Sequence, residues 1–193
     1  MAREFEVKYR LTPETFRAIW DAFGPFRSIT METTYYDTPE GDFSARKWTL
    51  RKREENGVSV CALKTPGQHG GRGEWEIPCP DILSALPELI QLGAPAEIAT
   101  LAAKGLTELC AASFTRQAAL ISVGDSLLEL ALDRGQLLGG GSTMPLLELE
   151  AEVKQGKDSD ALAFGQKMEQ DYGLVPEPHS KFKRARSLAR ERR

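Results

Sequence analysis

The chain has 193 residues, 41% of them hydrophobic and 27% charged, with a formal net charge of −3. That length suits one globular domain with its own core, and no apolar run approaches the roughly 20 residues of a helical membrane span. Three widely spaced cysteines, Cys61, Cys79 and Cys110, argue against both a disulfide framework and a CxxC metal site.

Residues 3–11 alternate in polarity and predict a strand with Glu4, Glu6 and Lys8 on one face and Phe5 and Val7 on the other. The strand begins at once, with no apolar stretch of the signal-peptide kind, so a cytoplasmic protein is expected. Thr12-Pro13-Glu14 opens a helix to about Phe23, ended by Gly24-Pro25. A β-rich TTYYDT follows, then a turn at Pro39-Glu40-Gly41 and a hairpin of strands at about 47–54 and 58–65 joined through Glu55-Asn56-Gly57. The glycine-rich stretch 65–73 reads as a loop and leads to a strand at 73–78 carrying Glu74 and Glu76.

Residues 81–110 lose the two-residue period and suit two surface helices rich in Leu and Ala. Strands resume at about 113–122, 126–138 and 145–154, and the last sets Glu148, Glu150 and Glu152 on one face. Helices at about 158–172 and 180–191 complete the chain. Residues 1–180 hold 18 Lys/Arg against 27 Asp/Glu, whereas residues 181–193 hold 7 against 1. The basic run, with Ser180 as its N-cap, reads as a terminal helix whose cations suit the C-terminal dipole rather than as a nucleic-acid arm.

The carboxylates on alternate positions call for cations, because like charges about 4 Å apart repel by roughly 4 kcal/mol at an effective ε of 20. Basic residues occur at matching parity: Arg51 and Arg53 share a face, Lys64 matches Val60 and Ala62, and Arg116 lies on the strand from 113. Periodicity alone leaves two arrangements open. The charges line either the interior of a closed barrel or the solvated face of a sandwich.

Order and spacing add a resemblance. Glu4-Glu6-Lys8 as ExExK, YYDTP at 35–39, LRKR at 50–53, LK at 63–64, GEWE at 73–76, TR at 115–116, ELALDRG at 129–135, ELEAE at 148–152 and SKF at 180–182 resemble the CYTH superfamily, or triphosphate tunnel metalloenzymes, almost end to end. The resemblance implies a mainly β, α+β fold: a closed antiparallel β-barrel tunnel of eight strands with helices packed on the outside, in a single domain 1–193 whose basic helix occupies 180–193. Lys8, Arg51, Arg53, Lys64, Arg116 and Lys181 match the cations that grip a triphosphate, bidentately where they are Arg. Glu4, Glu6, Asp133, Glu148, Glu150 and Glu152 match the acidic metal positions, suited to Mg²⁺ or Mn²⁺. Glu4, Glu6, Glu150 and Glu152 carry the expected catalytic role of directing water at the phosphate. Glu74 and Glu76 either bind metal or orient the arginines, and Arg72 is a candidate to close over substrate.

Metal-dependent hydrolysis of a small-molecule triphosphate is therefore expected, with the motifs most similar to the bacterial inorganic triphosphatase branch. Thiamine triphosphatase and class IV adenylate cyclase share these ligands and remain alternatives, as does a binding module for polyphosphate or nucleotide without turnover. The sequence departs from the family at Ser44-Ala-Arg-Lys-Trp48, where a glycine commonly precedes LR. His69 and His179 have no partner at catalytic spacing, and no GxSxG is present. Neither nucleic acid nor membrane is an expected partner, and no heptad or apolar patch decides between monomer and homodimer.

Overall fold

The computed structural model describes residues 5–66 and 72–190. Glu4 and His69 lie outside the described residues, as does the side chain of Arg72. In chain order the elements are β1 (Glu6–Arg10), α1 (Pro13–Phe23), β2 (Arg27–Asp37), α2 (Asp42–Ala45), β3 (Thr49–Glu55), β4 (Val58–Pro66) and β5 (Arg72–Pro78). There follow α3 (Ile82–Gln91), α4 (Glu97–Ala102), β6 (Thr107–Val123), β7 (Ser126–Gly139), β8 (Ser142–Gln155), α5 (Asp158–Tyr172), β9 (Val175–Pro176) and α6 (Lys181–Arg190). None of these helices is long and apolar enough to cross a membrane.

Local chemistry explains the boundaries. Thr12 caps α1 through a reciprocal pair of bonds with Thr15, and Pro13 takes the first turn, where its missing N–H costs nothing. Asn56 and Gly57, both at positive φ, make the two-residue turn between β3 and β4. Asp81 accepts from the Ser84 N–H to start α3, and the Ser180 hydroxyl accepts from the Lys183 N–H to start α6.

The strands form one antiparallel sheet in the order β5-β4-β3-β2-β6-β7-β8-β1-β9. The sheet curls enough for β1 and β5, from opposite ends of that order, to line one cavity. Among the described residues no backbone hydrogen bonds join β5 to β1 or β9, so the wall is curled but not laced shut. The ninth strand, only two residues long, extends the expected eight. It exists because the chain returning from α5 adds Val175 and Pro176 along Arg10 and Tyr9.

Two apolar clusters cover the outer face. Leu50, Cys61, Leu63 and Ile77 of β3–β5 pack under α3 and α4, with Phe43 of α2 among them. Tyr9, Leu128, Leu130, Leu132, Leu149 and Ala151 of β1, β7 and β8 pack under α1 and α5. Helix α6 departs from the expected outside packing. Its Ala185, Phe182 and Leu188 pack with Ile29, Met31, Tyr35, Ala112, Phe114, Leu137 and Leu146, several of which line the cavity. The helix therefore sits against the inner face and fills one end of it, because the sheet's inward residues there are apolar and need a partner. Close approach is possible where side chains are absent: a Cβ on Gly139 would lie 2.2 Å from the Ala185 carbonyl.

Candidate active site

Alternation along the strands gives the curled sheet a charged inner wall. A cavity of about 640 Å³ opens there, and its lining includes eight cationic and seven carboxylate side chains among the described residues. Of the residues expected at the site, Glu6, Lys8, Arg51, Arg53, Lys64, Glu74, Glu76, Arg116, Glu150, Glu152 and Lys181 all lie on this wall. Asp133 and Glu148 lie behind it with no solvent exposure.

Strand register arranges these groups in rows. Glu129 of β7, Glu152 of β8 and Glu6 of β1 are successive cross-strand partners. Four positions along, Arg116, Asp133 and Glu148 form a second row across β6, β7 and β8. Glu150, from the row between them, completes a cluster with Asp133 and Glu148, whose oxygens all lie within 4.8 Å of one another.

Three carboxylates so close repel by about 3 kcal/mol per pair at an effective ε of 20, and three cations answer them. Lys181 lies 2.8 Å from Asp133 and 2.7 Å from Glu150 and also contacts Glu148. Arg116 holds both oxygens of Asp133 at 2.8 Å and also donates to Glu150, and Arg184 contacts Glu148. The guanidinium and ammonium groups of Arg116 and Lys181 both stand over the Phe114 ring.

Protonation equilibria report this crowding. Burial pushes the Glu150 carboxyl up, but Lys181 and Arg116 outweigh it and hold the group well below the usual carboxylate range. Burial alone would lower the Lys181 ammonium, yet Asp133, Glu150 and Glu148 raise it. For Glu148 the balance reverses: burial, with Glu150 adding to it, outweighs Lys181 and Arg184 and raises its carboxyl. The cluster is thus a set of anchors for Arg116, Lys181 and Arg184, with its anionic charge already matched.

The row Glu6, Glu152 and Glu129 is different. Its side chains are 26%, 24% and 21% exposed, and their ion pairs among the described residues include Lys8, 3.2 Å from Glu6, and Lys154, 2.9 Å from Glu152 and 3.8 Å from Glu129. These neighbouring oxygen donors at the cavity surface have the hardness and the access that a divalent cation requires. Glu129 was absent from the residues expected at the site. Its signal was available in the same alternation, since Glu129, Ala131 and Asp133 share parity on β7.

At the other wall, β3, β4 and β5 supply a basic group. Arg51 lies 3.2 Å from Glu74 and 3.6 Å from Glu76, Arg53 lies 3.6 Å from Glu76 and also contacts Glu55, and Lys64 lies 3.1 Å from Glu74. Glu74 and Glu76 are thus each in ion-pair contact with two of these cations. Burial and the neighbouring Arg51 lower the Arg53 guanidinium, with Arg116 adding to the effect against Glu55 and Glu76. Both Arg51 and Arg53 have a buried Nε–H without a hydrogen-bond partner.

The adjacent tyrosines divide between faces. Tyr35 lines the cavity against Phe182, their rings 5.1 Å apart, whereas Tyr36 joins the outer cluster. His179 flanks α6, its backbone N–H donating to Glu177 at 2.9 Å. Arg27, Glu55 and Lys154 also line the cavity and were not singled out from sequence. Each shares the parity of an assigned neighbour or lies beside a turn, where charge reads equally well as solvated surface.

Four known families and proteins resemble this chain. A family model described as the CYTH domain covers residues 2–185. An inorganic triphosphatase of Haemophilus influenzae is 26% identical over 191 residues, which is 95% of this chain and 54% of the relative. The chain thus spans about half the length of that curated relative. Among solved structures, HpAC1 from Hippeastrum, described as revealing a dominant triphosphatase activity, superposes with a TM-score of 0.65 at 20% identity, covering 97% of this chain and 96% of its own. A Pyrococcus horikoshii OT3 protein, PH1819, gives 0.62 at 22% identity with 98% and 99% covered. At these identities the two structures attest the tunnel fold.

Proposed function

This chain belongs to the CYTH domain family, and from that premise we propose that it hydrolyses a triphosphate bound in the cavity, with inorganic tripolyphosphate as the substrate and Mg²⁺ or Mn²⁺ as the metal. The observation that carries this is the pair Arg51 and Arg53. Their buried Nε–H groups lack acceptors, and an unmatched buried donor costs about 1–3 kcal/mol. Phosphate oxygens would satisfy both and relieve the like-charge crowding that lowers Arg53.

Charge supports a metal requirement. Eight cations against seven carboxylates leave the wall nearly neutral, while a triphosphate carries roughly four negative charges near pH 7. Glu6, Glu129 and Glu152 fit the missing cation best, with Glu150 beside them but already held by Lys181 and Arg116. Bound there, Mg²⁺ or Mn²⁺ would neutralise phosphate oxygens and acidify water. The chain's own part is positional. Arg51, Arg53 and Lys64 grip one end of the phosphate chain, Arg116 and Lys181 face its middle, and Lys8 stands beside the carboxylate row. Glu152 or Glu129 is placed to accept a proton from the attacking water, so no covalent intermediate on the protein is required.

The preference for an inorganic substrate rests on the aromatic residues. Tyr35 packs on Phe182, and Phe114 lies under Arg116 and Lys181. Tyr35 and Phe114 are both buried, which disfavours stacking of a base or thiamine ring on them. The test is phosphate release from tripolyphosphate, thiamine triphosphate and ATP, each with Mg²⁺, Mn²⁺ or chelator. Tripolyphosphate turnover abolished by chelator is expected. Faster turnover of ATP or thiamine triphosphate overturns the substrate assignment, and binding of all three without turnover makes the chain a phosphate-binding module.

A further inference from the structure

Among the eight cations on the cavity wall, Arg27 forms no ion pair with any described residue, whereas each of the others contacts at least one carboxylate. Its position follows from register. Arg27 opens β2 at the same parity as Ile29, Met31, Thr33 and Tyr35, all of which face the cavity. Across the sheet its row continues through Ala118 and Ala131 to Glu150. Two methyl side chains thus separate Arg27 from the nearest carboxylate of the row, and Glu150 is already engaged by Arg116 and Lys181.

The same end of the cavity carries Lys154. Leu127 and Leu128 pair with Gln155 and Val153, so Lys154 is the extra residue of a β-bulge, a device that re-aims a side chain. It faces the cavity from β8 while Arg27 faces it from β2. Arg53 and Arg51 stand opposite Thr33 and Tyr35, six and eight residues farther along β2 than Arg27. At about 3.4 Å per residue those offsets are roughly 20 and 27 Å. Three phosphoryl groups joined by two bridging oxygens are too short to engage both Arg51 and Arg27.

We propose that the end of the cavity marked by Arg27 and Lys154 is a subsite for the additional phosphoryl groups of a linear polyphosphate longer than tripolyphosphate. Arg27 supplies the planar fork that suits successive phosphate oxygens, and with no carboxylate partner among the described residues its donors are available to them. This assignment rests on the cavity binding phosphate chains as proposed above.

Calorimetric binding of tripolyphosphate and of a several-fold longer linear polyphosphate, with chelator present to prevent turnover, tests it in wild type, Arg27→Ala and Arg27→Lys. Long chains offer more binding registers, so the informative quantity is the ratio of the two Kd values. Arg27→Ala is expected to reduce the preference for the long chain about tenfold, corresponding to one charge-assisted contact, and Arg27→Lys to restore part of it. An unchanged ratio in Arg27→Ala, or failure of both polyphosphates to bind, overturns the subsite. The two proposals fail separately: Arg27-dependent chain-length preference without phosphate release under any metal sinks hydrolysis and keeps the subsite. Tripolyphosphate hydrolysis with an Arg27-independent ratio does the reverse.

Discussion

Lys181, the first residue of α6, places its ammonium 2.8 Å from Asp133 near the middle of β7, a contact between residues 48 positions apart in sequence. Helix α6 thus enters the sheet's inner face on a charge pair as well as on its apolar side chains. Since Lys181 also touches Glu148 and Glu150, its removal would leave three crowded carboxylates with only Arg116 and Arg184 to answer them. Lys181→Ala is expected to lower stability by about 3–5 kcal/mol, read as a shift in the urea midpoint. A loss below about 1 kcal/mol would show that the cluster is neutralised without it.

The two walls predict different kinetic defects. Glu152→Gln removes an accessible oxygen from the carboxylate row and should lower kcat on the order of a hundredfold while raising the metal concentration needed for half-maximal rate. Arg53→Ala removes a cation from the wall proposed to grip the phosphate chain and should act chiefly on KM. Steady-state kinetics with titrated metal separate the two, and indistinguishable profiles would refute the division.

Stability should fall at both extremes of pH. The Glu150 carboxyl is depressed in the folded state, so its contribution is present above the unfolded value near pH 4.3 and is lost as pH falls through the folded one. The Lys181 ammonium is raised, so its contribution is present below about pH 10.4 and is lost as pH climbs toward the folded value. Glu148, raised by burial, has the opposite sign to Glu150 and softens the acid limb. Urea midpoints should form a plateau between those limits, and a monotonic dependence would contradict it.

Buried Glu177 ties the approach to α6. It accepts from Arg10 Nε at 2.7 Å and from the His179 N–H at 2.9 Å, with Arg184 at 3.7 Å. Glu177→Gln keeps the shape and removes the charge, and a stability loss of about 1–3 kcal/mol is expected. Because Arg184 also contacts Glu148, which contacts Lys181, tripolyphosphate KM should rise as well. An unaltered KM would limit Glu177 to holding the fold.

Gly135 permits a close crossing of β6 and β7. A Cβ there would lie 2.1 Å from the Ser113 carbonyl oxygen and 2.5 Å from the Phe114 Cα. Gly135→Ala should cost on the order of 3 kcal/mol because backbone must shift, measurable as a fall in Tm. A neutral effect would mean that the sheet relaxes there freely.

Much of this was legible beforehand. Strand alternation placed Glu6 with Lys8, Arg51 with Arg53 and Glu150 with Glu152 on shared faces, because side chains of a strand alternate whatever it packs against. Capping chemistry at Thr12 and Ser180 located α1 and α6. Less legible was α2, whose four residues are held by Asp37, which accepts from the Phe43 and Ser44 N–H groups. That contact has no periodic signature. Arg27 escaped notice because a single cation at a strand start is indistinguishable from a solvated one until the cavity is seen.

The sequence by itself determined which residues share a face and, through its ordered motifs, the family to which the chain belongs. Only the tertiary structure decided what each charge meets. Asp133, Glu148 and Glu150 were one acidic set with Glu6 and Glu152 by type and parity. Register and the inward packing of α6 bring Lys181, Arg116 and Arg184 onto the first three and leave Glu6, Glu152 and Glu129 in a more open row. The physical reason is that parity fixes direction within a strand, whereas neutralisation depends on distances between strands and helices far apart in sequence. At a few ångströms in a low-dielectric interior, those distances decide whether a carboxylate is locked among buried cations or stays at the cavity surface.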